Sequence, residues 1–220
     1  MNSFTEENYL KAIFKLLEKN ESAVTTNAIA EKINTKAASV TDMLKKLADK
    51  KLINYKKYQG VLLTDKGKKV ALNIIRKHRL WEMFLVDKLN FKWDEVHEIA
   101  EQLEHIHSDK LVERIDKFLD YPKFDPHGDP IPDHNGKIQL PKSQKLSELT
   151  NNNLCIMIGV VDHSPAFLQY LDKIELTLGN QIKIKDIVEY DKSLLVSINN
   201  KTKTHISNQV ANNILVSLKK

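Results

Sequence analysis

Hydrophobic positions in the first third of the chain recur at helical spacing. In TEENYLKAIFKLLEKN, residues Tyr9, Ile13, Leu16 and Leu17 fall on one stripe and predict an amphipathic helix. TNAIAEKI opens on hydroxyl and amide residues suited to a helix N-terminus and predicts a short second helix. NTKAASVTDMLKKLADKKLI then supplies a tight turn and a third helix whose Val40, Leu44 and Leu47 face inward. LINYKKYQGVLLT has two β-prone runs around a Lys-Lys-Tyr-Gln-Gly tip and predicts a hairpin. The pattern returns to helix in TDKGKKVALNIIRKHRLWEMFLVDKL, despite Gly67, and in WDEVHEIAEQLEHI, with Asp94 as N-cap. YPKFDPHGDPIPDHNGKIQLPKSQ carries five prolines and reads as a linker with turns. From Leu154 the period shortens to strand alternation in CIMIGVV, QIKIKDIVEY and SLLVSINN, with a short helix near PAFLQYLDKI, which predicts a small barrel or sheet. The fold class is therefore mainly α with a small β portion.

Helix, tight turn, helix and hairpin in that order is the layout of a winged helix that reads DNA. A recognition helix needs small or hydrogen-bonding residues at its N-terminal end, to approach base edges and phosphates. Here that end holds Thr35, Lys36, Ala37, Ala38, Ser39, Thr41 and Asp42, with Lys45 and Lys46 placed to reach the backbone and Lys56 and Lys57 on the wing. The competing reading is an ordinary three-helix bundle with a lysine-rich surface; the hairpin argues against it.

Composition narrows the class. At 220 residues and 41% hydrophobic the chain can bury a core, and six Gly and six Pro exclude a fibrous protein. No run of about eighteen apolar residues is present, and MNSFTEENYL lacks the layout of a signal peptide, so a cytoplasmic protein without a membrane partner is expected. The single cysteine, Cys155, excludes an intrachain disulfide and a cysteine-rich zinc module. Its setting in LCIMIGVV predicts a buried strand. Charge is unevenly spread: residues 1–75 hold 14 Lys against 8 acids, residues 76–140 hold 10 basic against 14 acidic, and the remainder 10 against 7. The basic end suits a polyanion and the acidic middle a cation.

Six of the eight histidines lie between His78 and His134. In VHEIAEQLEHIHSD, an advance of about 100° per residue in an α-helix puts His97, Glu101, Glu104 and His105 in one sector, while Glu98 and His107 point elsewhere. No Lys or Arg occurs from Asp94 to Asp109, whereas a solvated helical face mixes charge signs. The preceding helix adds His78 and Glu82, four apart. Two helices that each present a His/Glu stripe can build a carboxylate–histidine metal site. Such donors, without thiolate, suit Mn(II), Fe(II) or Zn(II).

The segments TEENYLKAI, SVTDMLKKL, LLTDKGKKVA, RKHRLWEMFLVD, VHEIAEQLEHIHSD and PKFDPHGDPIP resemble the metal-dependent transcription repressors related to the diphtheria toxin repressor and the manganese transport regulator. The resemblance is strong over residues 4–140 and weak beyond. It implies a winged helix over 1–72, a helical metal-binding and dimerisation domain over 73–140, a linker over 141–152 and an SH3-like or FeoA-like β domain over 153–220. It implies a main metal site of His78, Glu101, Glu104 and His105, with Asn8 where relatives place Asp or Met. It also implies a second site of Glu82 and His97 that, as in relatives that keep the third domain, recruits Asp125 and His127 of FDPHG and Asp162 of VVDHS. Taken alone, Asp125 and His127 read as turn chemistry, Asp before Pro and His before Gly. Glu101 stands where iron-responsive members have cysteine, which favours manganese with iron as the alternative; Zn(II) or Co(II) would substitute in vitro. Lys11 replaces a Glu of the short manganese regulators, which argues against a binuclear site of their type.

The implied function is a homodimeric, metal-activated repressor bound to a double-stranded operator, with no small-molecule substrate. Two alternatives are a di-metal carboxylate–histidine enzyme and a metal-independent winged-helix regulator. Metal-dependent operator binding separates all three.

Overall fold

In the computed structural model, residues 2–19, 22–56 and 59–219 are described. The chain divides into two compact units, one of residues 1–78, 101–112 and 132–138, the other of residues 79–100, 113–131 and 139–220. The middle third of the sequence is shared between them.

In the first unit, α1 (Phe4–Lys19), α2 (Thr26–Lys32) and α3 (Ala37–Asp49) precede a hairpin of β1 (Ile53–Lys56) and β2 (Gly60–Leu63). Of the expected inward residues, Tyr9, Ile13, Val40, Leu44 and Leu47 are buried around one core and Leu16 and Leu17 are half-buried against it, while Leu10, outside the expected stripe, is fully buried. Thr25, one residue before α2, caps it by accepting the Ala28 amide at 3.2 Å. β1 and β2 pair antiparallel from Ile53↔Leu63 to Lys56↔Gly60, and Val24 bridges Val61 on the outer side. Lys57, assigned above to the wing, lies outside the described residues.

α4 (Asp65–Leu89) begins on the hairpin. Gly67 in its first turn is required there, because a Cβ would stand 1.9 Å from the Leu52 carbonyl oxygen. α5 (Val96–Leu103) is shorter than expected. The turn 93–95 precedes it, and Asp94 accepts a hydrogen bond from the Gln169 side chain instead of capping the helix. After Leu103 the chain leaves the helix, so Glu104 and His105 sit in a turn. α6 (Asp109–Phe118), which the hydrophobic pattern did not announce, starts where Ser108 Oγ accepts the Leu111 amide.

The second unit is built on a six-stranded antiparallel sheet. Its strands are β3 (Gln144–Lys145), β4 (Leu154–Val160), β5 (Gln181–Ile187), β6 (Leu194–Ile198), β7 (Thr202–Ile206) and β8 (Ile214–Leu218), in the order β3-β8-β4-β5-β6-β7. Register shifts in β4 and β5 mark bulges, which raise the local twist. α7 (Pro165–Lys173) buries Leu168 and Leu171 against the inward residues Met157, Ile182, Ile184, Val196 and Val216, and α8 (Asn208–Ala211) is a single turn. Cys155 is fully buried in β4, and burial pushes its thiol up to about 11, as a structural cysteine requires.

Candidate metal centre

Among the described residues, two clusters of histidine and carboxylate emerge, one in each unit. In the first, α1 presents Glu7 and Lys11, one turn apart, to His78 of α4 and to Glu101, Glu104 and His105. The Lys11 ammonium donates to Glu101 Oε1 at 2.6 Å and to both Glu104 oxygens at 2.7 Å. His78 Nδ1 lies 2.7 Å from Glu104 Oε2, and His105 Nδ1 lies 2.7 Å from Glu7 Oε2. His78 and Glu101 each bring a ligand atom within 4.8 Å of the other. Glu7, Lys11, His78, Glu104 and His105 are buried and Glu101 half-buried.

An ionised carboxylate only accepts, so Nδ1 of His105 donates to Glu7 and a neutral ring then carries its lone pair on Nε2. That Nε2 is buried without a hydrogen-bond partner, 3.7 Å from Glu104 Oε1. A carboxylate behind one ring nitrogen and a bare lone pair on the other is the support a metal-binding histidine needs. Phe4 stacks on the same ring at 4.7 Å. Asn8 lines a cleft of about 390 Å³ with Thr5, Tyr9, Ile33, Thr35, Ser39 and Met43, and its Oδ1 is buried without a hydrogen-bond partner. His107 is exposed, as helical periodicity placed it, and it also comes within 3.8 Å of Glu7 because the helix has already ended.

The second cluster joins Glu82, Asp125 and His127, all buried, with one ligand atom of each within 4.8 Å of the others. His127 Nε2 donates to the Trp93 carbonyl at 2.8 Å. Its Nδ1 has no hydrogen-bond partner and lies 3.7 Å from Glu82 and 3.9 Å from Asp125. His97 Nδ1 is 3.3 Å from Glu82 Oε1, with the side chain partly open to solvent. Asp125 Oδ1 accepts the amides of His127 and Asp129, so the turn chemistry is real and the same carboxylate still faces Glu82. Arg79 holds the loop through the Pro130 carbonyl and Asp129.

Electrostatics mark this site as cation-deficient. Burial and the charges of Glu82 and Asp129 push the Asp125 carboxyl up to about 7. Burial disfavours the His127 imidazolium, but the nearby Glu82 and Asp125 carboxylates and the Trp93 carbonyl outweigh it and raise His127 to about 9. The sheet supports the loop: the Val160 amide donates to the His127 carbonyl, and Gly128 presses against Ile158 and Gly159. Asp162 accepts the Ser164 amide at 2.8 Å, and the residue beside it, His163, stacks on His127 at 4.7 Å between ring centroids. His163 was missed in the sequence, where nothing but its place in VVDHS distinguished it.

The residues assigned to DNA lie on one side of α3. Thr35, Lys36, Ala37, Ala38 and Ser39 are exposed, Thr41 is half-buried, and Asp42, Lys45 and Lys46 are exposed, as is Lys56 on β1. Lys36 caps α3 without a side-chain hydrogen bond, Lys45 pairs with Asp42 at 3.3 Å, and Lys46 lies 3.2 Å from Glu6.

Three family models cover the chain: the iron dependent repressor N-terminal DNA binding domain over residues 2–61, the iron dependent repressor metal binding and dimerisation domain over 64–133, and the FeoA domain over 144–218. A manganese-dependent transcriptional repressor solved in complex with manganese has 33% identity and a TM-score of 0.86, covering 97% of this chain and 100% of that one. The chain belongs to the iron-dependent repressor family. It is a metal-dependent transcriptional repressor, a regulator and not an enzyme. DNA and a second copy of the chain are the partners the first two models imply. The MntR regulator of Oceanobacillus iheyensis is 34% identical over 54% of this chain and 80% of its own length. The iron-dependent repressor IdeR of Mycobacterium tuberculosis is 34% identical over 58% of this chain, which spans about half of that protein, 55%. ScaR with bound Cd2+ has a TM-score of 0.75 at 34% identity, covering 96% of this chain and 98% of that one. Among the described residues, no helix is long and apolar enough to cross a membrane.

Proposed function

We propose that this family member acts in the cytoplasm as a homodimer on double-stranded operator DNA, with a divalent cation, Mn(II) by preference, as corepressor. The observation that carries the reading is His105, a buried imidazole oriented by Glu7 whose other nitrogen has no hydrogen-bond partner beside the Glu104 carboxylate. The primary donors are His78, Glu101, Glu104 and His105, with Asn8 contributed from α1. The second set is Glu82, His97, Asp125 and His127, with Asp162 supplied from the turn after β4. Imidazole and oxygen donors without thiolate suit Mn(II), admit Fe(II), and accept Zn(II) or Co(II) in vitro. The functional divisions follow as a winged helix over 1–72, a metal-binding and dimerisation region over 73–140, a linker over 141–152 and a β domain over 153–220.

When bound, the cation neutralises the buried carboxylates and binds their oxygens and the imidazole nitrogens together. The coupling to DNA runs through α1. Its Glu7 orients His105, while its Glu6 receives Lys46 and Lys50 of the recognition helix and the residue that follows it, so one helix touches both sites. Metal favours the DNA-competent arrangement of α1 and α3, and DNA reciprocally tightens metal; a coupling of ~1–3 kcal/mol corresponds to about 5- to 150-fold in affinity. Thr35, Ser39, Thr41 and Asp42 meet base edges, Ala37 and Ala38 permit close approach, and Lys36, Lys45, Lys46, Lys56 and Lys57 reach phosphates.

The test is operator binding by the purified protein in chelator, then with Mn(II), Fe(II), Zn(II) or Co(II). Binding is expected to strengthen with metal by the factor above, and Glu101→Ala and His105→Ala are expected to lose that response. Binding indifferent to metal would refute the reading.

A further inference from the structure

The primary donor set already holds a cation of the chain's own. Lys11 leaves α1 and places its ammonium 2.6 Å from Glu101 and 2.7 Å from each oxygen of Glu104, with its side chain 8% exposed. An ammonium has three N–H donors and no acceptor. These three contacts use all of them, yet they leave the cluster incompletely served, because the buried Nε2 of His105 has no hydrogen-bond partner among the described residues. Lysine can neutralise one of the two carboxylates and can hydrogen-bond both. A divalent ion can neutralise two and also accept the imidazole lone pair. The pocket is therefore built for a better cation than the one it contains.

We propose that Lys11 is an internal counter-cation that holds Glu101 and Glu104 in the metal-free chain and is displaced when metal binds. The proposal rests on the assignment of Glu101, Glu104 and His105 as metal ligands. Its consequence is that metal binding is an exchange. The free energy of the Lys11 contacts is subtracted from the intrinsic affinity of the donors, so Lys11 sets the metal concentration at which the site fills. The exchange also moves a residue of α1. The ammonium must withdraw from between Glu101 and Glu104, and because Lys11 lies one turn from Glu7 on the helix that also carries Glu6, its release changes the element through which α3 is held. Without Lys11, the buried Glu104 and the half-buried Glu101 would lose the counter-charge they share in the metal-free protein.

The test uses the full chain and Mn(II) itself. Amine-reactive labelling read by mass spectrometry, with exposed Lys45 as internal standard, should find Lys11 protected in chelator and at least about tenfold more reactive in saturating Mn(II). Mn(II) affinity, measured by competition with a fluorescent chelator, should rise about tenfold or more in Lys11→Met and Lys11→Gln, since removing one member of a buried ion pair destabilises the metal-free state by at least that factor. Unchanged Lys11 labelling on Mn(II) addition would overturn the proposal in the wild-type protein, whatever the stability of the variants. So would variants that bind Mn(II) no more tightly than wild type while Glu101→Ala and His105→Ala lose binding; that pattern leaves the metal site standing. Binding indifferent to Glu101→Ala and His105→Ala would overturn the site assignment and the proposal together.

Discussion

His105 and His127 share one arrangement, although they stand on different loops. Each donates one ring N–H to a fixed acceptor, the Glu7 carboxylate or the Trp93 carbonyl, and each keeps the other nitrogen buried beside carboxylates with no hydrogen-bond partner. A buried ring nitrogen without a hydrogen-bond partner is costly in either protonation state, so its occurrence in both clusters is a signature of a ligand; at His127 that ligand must displace a proton. Gly128 shows how tightly the second loop is set. Its φ is +88°, and a Cβ would lie 2.2 Å from the Ile158 carbonyl oxygen and 2.4 Å from Gly159 Cα. Gly128→Ala should therefore cost about 2 kcal/mol or more, combining a strained left-handed conformation with a backbone clash. Urea unfolding monitored by Trp fluorescence checks this; a change below about 0.5 kcal/mol would mean that the loop relaxes freely.

At the scale of elements, α1 is the shared part. Burial alone would raise the Glu6 carboxyl, but hydrogen bonds from Lys50, the Ser3 amide and Lys46 outweigh it and hold it down to about 2. A carboxyl lowered on folding contributes stability that is complete above its ordinary value of 4.5 and is lost as the pH falls from there through about 2. Both lysines are partly exposed, which limits the contribution to about 1 kcal/mol. Glu6→Gln should lose that amount at neutral pH and show a correspondingly shallower acid transition between pH 4.5 and 2, measured by circular dichroism. An identical acid profile would show that the α1–α3 contact contributes nothing. α5 and α6 show a different limit. The break after Leu103 has no proline or glycine to announce it, and α6 is so rich in charge that its apolar residues form only a thin stripe. The strands β7 and β8 carry alternation in TKTHI and ILVSL, but these runs are shorter than those of β4 and β5, and TKTHI is also more polar.

For the whole molecule, the charge distribution predicts how DNA is met. Residues 1–75 carry the basic excess, and the exposed face of α3 concentrates it. Lys45→Ala should weaken binding across all operator variants and lower the salt slope by about one. Loss confined to one operator variant would instead make Lys45 a base-reading residue. Lys46→Ala should do the same and, through Glu6, also diminish the metal response; equal effects from both substitutions in chelator and in Mn(II) would remove Lys46 from the coupling.

The sequence by itself determined the order of elements in the first third, the inward residues of α3, the long α4, the strand character after Leu154 and the concentration of His and Glu on α4 and α5. These are local properties: periodicity fixes which face of a helix or strand is apolar, and charge pattern shows which face cannot be an ordinary solvated one. Only the tertiary structure decided what the stripes become. The bend after Leu103 takes Glu104 and His105 off the helix on which periodicity places them. Glu7 and Lys11 come to that turn across some ninety residues of chain, and the sheet pins His127 through Val160 while His163 covers it. Such contacts depend on packing between segments distant in sequence, and no spacing within a segment encodes them. The lysine between Glu101 and Glu104 became legible only there, because a positive charge in α1 acquires its meaning from the two carboxylates the fold places around it.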